Sequence, residues 1–211
     1  MLTITTYDRV PDMAVGYVRD LRIRWACHEA GLPYAVETTS FHERTARHFG
    51  RQPFGQVPML RDGDLSIFES GAILLYLGDR HPALMPEDAA DRAETQQWLV
   101  AALNTLEPAV LALTVARFFD RDEGAVARAL PRLHDRLRQL APVLEGRAFI
   151  AAGRFTLADI LLADVLRLPA ARGVLDPYPA LADYVARMTA RPGFRRALAD
   201  QRAHFGAPAP V

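Results

Sequence analysis

The sequence predicts an α+β domain with the order β-α-β, a polar connection and β-β-α, followed by an all-α domain. Strand and helix patterns alternate over the first third of the chain and include the hairpin signal Asp62-Gly63. Beyond it no strand pattern occurs, and Ala- and Leu-rich helical patterns continue. We therefore expect residues 1–80 to form the first domain, 81–88 a linker and 89–211 the helical domain.

The first three elements form a compact strand–helix–strand unit. Leu2 to Tyr7 is β-rich and predicts the first strand. An apolar stripe over about 17–30 predicts a helix, which Gly31 ends. Pro33 to Glu37 begins the second strand, and a right-handed crossover between two parallel strands is expected. The polar region at 40–52 then leads to the hairpin.

The later elements are a hairpin and a series of helices. Apolar runs on both sides of Asp62-Gly63 predict two antiparallel strands, and a helix is expected from about Ser70 to Arg80. Pro108 should kink a long helix. Pro131 falls inside the next helix or near its start. The helices of the second domain are expected at about 88–119, 124–145, 156–168, 179–190 and 193–203.

Composition excludes several functional classes. Lys plus Arg and Asp plus Glu number 25 each, and this zero net charge argues against a nucleic-acid partner. The single cysteine, Cys27, permits no intrachain disulfide and is expected in the core. No CxxC pair or Cys/His cluster predicts a metal site. No signal peptide and no uninterrupted apolar run of about 18 residues are present, so a cytoplasmic chain without a membrane span is expected.

The clearest local signal is Phe155-Thr156-Leu157-Ala158-Asp159-Ile160. Thr156 can cap a helix whose third residue is Asp159, and each side chain then accepts from an otherwise unpaired backbone N–H. We interpret this capping box as structural. Removing Asp159 is expected to cost about 1 kcal/mol or more.

Two further motifs could bind a ligand. In Gln56-Val57-Pro58, a cis proline would turn the Val57 main-chain groups toward an extended peptide, whereas a trans proline would simply begin an edge strand. Glu69-Ser70 begins the helix after the hairpin. Ser70 is either an ordinary N-cap or, with Glu69, part of a site for the carboxylate and ammonium of an α-amino acid.

The order and spacing of these three motifs resemble the glutathione transferase family over nearly the whole chain. This resemblance implies a thioredoxin-like β-α-β-α-β-β-α domain that holds glutathione. Val57, before a cis Pro58, would pair with the cysteinyl part of glutathione, and Gln56 would contact its backbone or γ-glutamyl end. Glu69 and Ser70 would bind the γ-glutamyl ammonium and carboxylate. Thr156 and Asp159 would be the structural capping box.

The family places a Tyr, Ser or Cys after the first strand to stabilise the glutathione thiolate. Tyr7 ends the first strand and is the first candidate, and Tyr17, nearer the serine-type position, is the alternative; a backbone N–H could also serve. Some family members place basic residues at 42–52 near the glycyl carboxylate; we instead interpret the candidates as solvated surface charges, and these are Arg44, Arg47, His48 and Arg51. The electrophile site could involve four residues of the helical domain, which are Trp98, Arg117, Phe118 and Phe119.

The resemblance implies an enzyme that transfers glutathione to a small electrophile, a detoxification reaction, without a metal. Glutathione would be its co-substrate, and family members are commonly homodimers. The alternative is a non-catalytic protein of the same fold that binds glutathione or a hydrophobic ligand. A disulfide oxidoreductase is disfavoured because no CxxC pair is present.

Overall fold

The computed structural model describes residues 1–206, which divide into two compact units. The first comprises Met1–Leu84 together with the described residues from Arg191 onward, and the second comprises Met85–Ala190. The last helix, Pro192–His204, therefore belongs by its contacts to the first unit, although the sequence pattern placed it in the helical domain. A sequence pattern indicates that a segment is helical but not what the helix packs against. This helix packs against the helix Asp20–Ala30, which is far away in sequence.

The first unit contains one four-stranded sheet with the strand order β2-β1-β3-β4. Strands β1 and β2 are parallel, whereas β3 is antiparallel to both β1 and β4. The predicted order β-α-β-α-β-β-α is confirmed. Its elements are β1 (Leu2–Tyr7), α1 (Asp20–Ala30), β2 (Tyr34–Thr39), α2 (Ala46–Arg51), β3 (Met59–Asp62), β4 (Leu65–Phe68) and α3 (Ser70–Gly78), with a short 3-10 turn at Asp12–Ala14 before α1.

The second unit is helical, as predicted. Its long first helix is continuous from Ala89 to Asp120, with π-helical stretches at Ala102–Leu106 and Val115–Asp120. The first stretch ends just before Pro108, whose ring disfavours a regular helical turn. The chain's helices after α3 are α4 (Ala89–Ala101), α5 (Glu107–Thr114), α6 (Glu123–Leu144), α7 (Leu157–Ala171), α8 (Pro179–Thr189) and, in the first unit, α9 (Pro192–His204).

The long helix Ala89–Asp120 is apolar enough and long enough to cross a membrane, by length and composition alone. One such helix is weak evidence for a membrane span, because helices of water-soluble domains satisfy the same criteria.

Pro131 lies inside α6, and so does Pro142.

The predicted capping box is present at the start of α7. The Ala158 N–H donates to Thr156 Oγ1 over 3.3 Å, and the Thr156 N–H donates to Asp159 Oδ2 over 2.9 Å. Asp159 is fully buried and accepts two further hydrogen bonds at Oδ1, from the Ile150 N–H and the Tyr184 hydroxyl, each of 2.9 Å. The carboxylate therefore joins α7 to both α8 and the preceding loop.

Helix α9 is held against α1 by buried polar contacts. Gln201 Nε2 donates to Asp20 Oδ1 over 2.5 Å and to the Val18 carbonyl over 2.9 Å. The same carboxylate accepts from Arg24 Nε over 2.7 Å. Burial raises the pKa of the Asp20 carboxyl, and the Arg24 guanidinium opposes that shift. These contacts explain why α9 belongs to the first unit.

A close approach at Gly193 completes this packing. Arg191 donates to both oxygens of Glu29, over 2.9 and 2.7 Å, and Trp25 Nε1 donates to Glu29 Oε1 over 2.9 Å. A Cβ on Gly193 would lie 2.5 Å from Glu29 Oε1. Because three hydrogen bonds hold this carboxylate, it has little room to move away.

We expect Gly193→Ala to destabilise the protein by about 1–3 kcal/mol, the usual cost of overpacking. Gly50→Ala is the matched control, because Gly50 also lies in a helix and a Cβ there meets no atom within 4 Å. The control should be neutral or more stable by up to about 1 kcal/mol, since alanine favours helix. Urea unfolding of both variants measures the difference, and equal stabilities would contradict the proposed clash.

Candidate functional site

At one edge of the sheet, strands β1 and β4 end and strand β3 begins. Thr5 of β1 lies opposite Met59 of β3, and Met59 lies opposite Phe68 of β4. Beyond this row, the carboxyl ends of β1 and β4 and the amino end of β3 leave the sheet on the same side. Segments held by a rigid sheet in this way are common locations for binding residues. The sequence-predicted residues of the first unit lie at these three strand ends, except Tyr17, which lies ten residues beyond β1.

Val57 lies two residues before Met59, at which the β1–β3 pairing starts. The Val57–Pro58 peptide bond is cis, one of the two alternatives that the sequence left open. Within residues 1–206, no main-chain hydrogen bond involves the Val57 N–H or C=O. Val57 is buried, whereas Gln56 beside it is exposed. A main-chain donor and acceptor are thus available next to an exposed amide side chain.

Glu69 and Ser70 lie beyond β4, next to the segment before β3. Glu69 has a φ of 69°, a strained value for a residue other than glycine, which costs about 1–3 kcal/mol. Its side chain is exposed, and its carboxylate has no partner among residues 1–206. Strained backbone of this kind concentrates at binding sites. Ser70 is the first residue of α3 and is 3% exposed.

The start of α3 is electropositive. The Ser70 hydroxyl accepts from Nη1 of Arg22 over 3.1 Å, and Arg22 is itself buried on α1. The guanidinium adds to the partial positive charge of the helix N-terminus. Sequence reasoning missed Arg22, although an arginine on the apolar stripe of α1 was a signal. A cationic helix end beside the Glu69 carboxylate can receive a group that carries both charges.

Tyr7 ends β1, and continuing the β1–β3 register places it level with Val57. Its ring packs perpendicular to that of Phe41, with 5.2 Å between the centroids. His204 Nε2 donates to the Tyr7 carbonyl over 2.9 Å, so α9 also anchors the end of this strand. No group in the described part of the chain hydrogen-bonds the Tyr7 hydroxyl. That hydroxyl is therefore available to a ligand.

Tyr17 lies between the 3-10 turn and α1. Its N–H donates to the Ala14 carbonyl over 2.9 Å, and the residue is 36% exposed. Both tyrosines precede α1, but only Tyr7 belongs to the strand that borders β3. Which of them contacts a bound thiol stays a prediction.

The basic residues between 42 and 52 differ in their surroundings. Arg47 is exposed, as expected of a solvated charge. That expectation is wrong for His48, which is 4% exposed and whose pKa is lowered by burial. Arg51 is half-buried and pairs with Glu37 at 2.5 Å. Arg44 is half-buried and bound to neighbouring loops.

The residues predicted near an electrophile have separate environments within the helical unit. Arg117 and Phe118 help to line a small cavity of about 20 Å³, and the Arg172 guanidinium lies 4.7 Å from the Phe118 ring centroid. Phe119 is 71% exposed, and Trp98 is half-buried. These four side chains therefore do not share one environment.

Cys27 belongs to the core, as expected. It is fully buried on α1, and burial raises the pKa of its thiol to about 12. A thiol with that pKa carries almost no thiolate near neutral pH. Mixed-disulfide chemistry at Cys27 is therefore disfavoured.

Comparison with known families identifies the chain. The model of the glutathione S-transferase N-terminal domain matches residues 13–79, and that of the C-terminal domain matches residues 81–192. Together they span most of the sequence, so the chain belongs to the glutathione S-transferase family. The C-terminal match includes the long helix Ala89–Asp120, which is thus a helix of that domain.

Individual relatives agree with this assignment. Glutathione S-transferase P of Bos taurus is 32% identical over 152 residues, covering 69% of this chain and 70% of its own. Glutathione S-transferase 1 of Zea mays is 28% identical over 192 residues, covering 84% and 90%. A glutathione transferase family member from Pseudomonas fluorescens, solved with two glutathione bound, has a TM-score of 0.82 and 25% identity over 93% of this chain and 92% of its own.

Proposed function

We propose that this protein is a glutathione transferase, which binds glutathione at the sheet edge and activates its thiol for attack on a small electrophile. The observation that carries the proposal is the arrangement of Val57 beside Glu69 and Ser70, beyond one row of the sheet. A main-chain donor and acceptor thus lie next to two sites of opposite charge. The γ-glutamyl end and peptide backbone of glutathione need this combination.

The cysteinyl and γ-glutamyl parts of glutathione have partners in this proposal. The unpaired Val57 main chain receives the cysteinyl residue in the manner of an added strand. The γ-glutamyl carboxylate binds at the start of α3, where Ser70 and the Arg22 guanidinium meet. The γ-glutamyl ammonium pairs with the Glu69 carboxylate. Gln56 contacts the tripeptide from the exposed side of the segment.

Activation requires that the thiol ionise near neutral pH. Free thiols titrate at about pH 8.5, so lowering the pKa by two units needs about 2.7 kcal/mol of preferential stabilisation of the thiolate. A hydroxyl that donates to the sulfur supplies part of this energy. The Tyr7 hydroxyl is our first candidate because it ends the strand that borders the Val57 segment; Tyr17 is the alternative.

The wider setting follows from family membership. We propose a cytoplasmic homodimer in which glutathione is the co-substrate, no metal takes part, and neither nucleic acid nor membrane is a partner. Thr156 and Asp159 serve the fold through the capping box rather than the reaction. Detoxification of a small electrophile is the reaction class.

The proposal is tested by titrating protein-bound glutathione, following thiolate absorbance in the ultraviolet against pH. We expect the bound thiol to ionise well below the free thiol. Tyr7→Phe should raise the pKa of the bound thiol by about one unit, a tenfold loss of thiolate. Tyr17→Phe is the matched control and should leave that pKa unchanged.

The other outcomes separate the alternatives. If only Tyr17→Phe raises the pKa of the thiol, Tyr17 is the activating residue. If glutathione binds with an unshifted thiol, the chain is a binding protein on a transferase fold. If glutathione does not bind, the assigned roles of Val57, Glu69 and Ser70 are wrong.

A further inference from the structure

Arg44 connects three segments around the end of β1. Its guanidinium lies 4.8 Å from the Tyr7 ring centroid. Nε donates to the Gly55 carbonyl over 3.0 Å, and Nη1 donates to the Phe41 carbonyl. Phe41 in turn packs against Tyr7, so one side chain fixes both the tyrosine ring and the segment that leads to Val57.

The Gly55 contact is closely packed. Gly55 is buried and has a φ of 67°, and a Cβ there would lie 3.0 Å from the Phe49 ring and 3.8 Å from the Arg44 side chain. Gly55 precedes Val57 by two residues. The position of Arg44 is therefore coupled to the main chain that we propose to hold the cysteinyl residue.

The charge of Arg44 is not neutralised locally. None of the ion pairs formed within residues 1–206 includes Arg44, whereas Arg51 nearby pairs with Glu37. A half-buried cation without a carboxylate partner favours negative charge in its neighbourhood. The guanidinium lies 4.8 Å from the Tyr7 ring centroid and 5.8 Å from that of Phe41. Of these two rings, the closer one belongs to the tyrosine that we propose to donate to the thiolate.

We propose that Arg44 is a positioning residue of the thiol site, which holds the Tyr7 ring and raises the proportion of bound glutathione that is ionised. This inference rests on the proposed function. Two physical effects contribute to it. The cation over the ring face restricts the orientation of the phenol. Its charge also lies beside the tyrosine that we propose to donate to the thiolate, and nearby positive charge favours an anion.

The experiment separates an effect on the thiol from an effect on binding. Wild type, Arg44→Met, Arg44→Lys and the control Arg47→Met are compared, since Arg47 is the exposed arginine of the same region. Thiolate absorbance against pH gives the pKa of bound glutathione. Calorimetry with S-methylglutathione, which has no free thiol, gives the affinity alone, and circular dichroism verifies the fold.

We expect Arg44→Met to raise the pKa of the bound thiol by about one unit, equivalent to tenfold less thiolate below that pKa. Its affinity for S-methylglutathione should change by less than about threefold. Arg44→Lys keeps the charge but loses the two guanidinium hydrogen bonds to the Gly55 and Phe41 carbonyls. The pKa of its bound thiol should therefore lie between those of wild type and Arg44→Met. Arg47→Met should match wild type in both measurements.

Three results would overturn the inference. If Arg44→Met weakens S-methylglutathione binding but leaves the pKa of the thiol unchanged, Arg44 only supports the Gly55 segment. If the pKa rises equally in Arg44→Met and Arg47→Met, general surface charge is the cause. A wild-type protein that binds glutathione without lowering its thiol pKa would instead refute the proposed activation, and this inference with it.

Discussion

Asp159→Ala is expected to destabilise the protein by about 3–5 kcal/mol, several times the value of an ordinary helix cap. The carboxylate accepts from the N–H groups of Ile150 and Thr156 and from the Tyr184 hydroxyl, all in a fully buried site. Alanine would leave three buried donors unsatisfied, and each costs about 1–3 kcal/mol. Burial raises the pKa of Tyr184 well above its usual value, so its hydroxyl remains a donor at working pH.

Urea unfolding measures this loss, with Asp122→Ala as the matched control. Asp122 caps α6 through a single hydrogen bond of 2.9 Å from the Ala125 N–H, and it is exposed. That variant should lose about 1 kcal/mol. Equal losses in the two variants would show that Asp159 acts as a simple cap. A much larger loss for Asp159 would support its role in joining two helices and a loop.

Glu69→Gln is expected to weaken glutathione binding by about 10- to 100-fold, the range for a lost charge-assisted hydrogen bond. The carboxylate is exposed and has no partner among the described residues, so the substitution leaves no protein group unsatisfied. Glutamine also keeps the size of the side chain on a backbone already held at a positive φ. The effect should therefore fall on binding, with little change in stability.

Calorimetry with glutathione and with an analogue that lacks the γ-glutamyl ammonium tests this contact. Wild type should bind the analogue about as weakly as the variant does, and the variant should not distinguish the two ligands. Asp64→Asn, which removes an exposed carboxylate in the hairpin turn, is the control and should bind like wild type. If Glu69→Gln retains full affinity, the ammonium is bound elsewhere.

Local sequence signals identified the elements that depend on neighbouring residues. Gly31 ends α1 in the left-handed conformation, as its position after the apolar stripe predicted. Asp62 ends β3, and Gly63 is the first of the two turn residues before β4. The capping box at Thr156 and Asp159 requires only a spacing of three residues. In each of these cases, the interacting groups belong to residues only a few positions apart in the sequence.

Contacts between distant residues could not be predicted from spacing. Arg22 reaches Ser70 across 48 positions, and Gln201 reaches Asp20 across 181. No periodic pattern indicates such pairs, because each residue is compatible with its own helix whether or not the other residue is present. The strained φ of Glu69 was also hidden, since a glutamate gives no signal for a backbone conformation that glycine normally adopts.

The return of α9 to α1 has a consequence for synthesis of the chain. The sheet and its first three helices emerge from the ribosome early, but the helix that covers α1 is made only after the entire helical unit. During that interval, Asp20 and Arg24 lack the Gln201 contact that closes over them. We therefore expect the nascent first unit to resist proteolysis fully only once residues 192–204 have left the ribosome, whereas the helical unit, which is contiguous in sequence, can become protected sooner.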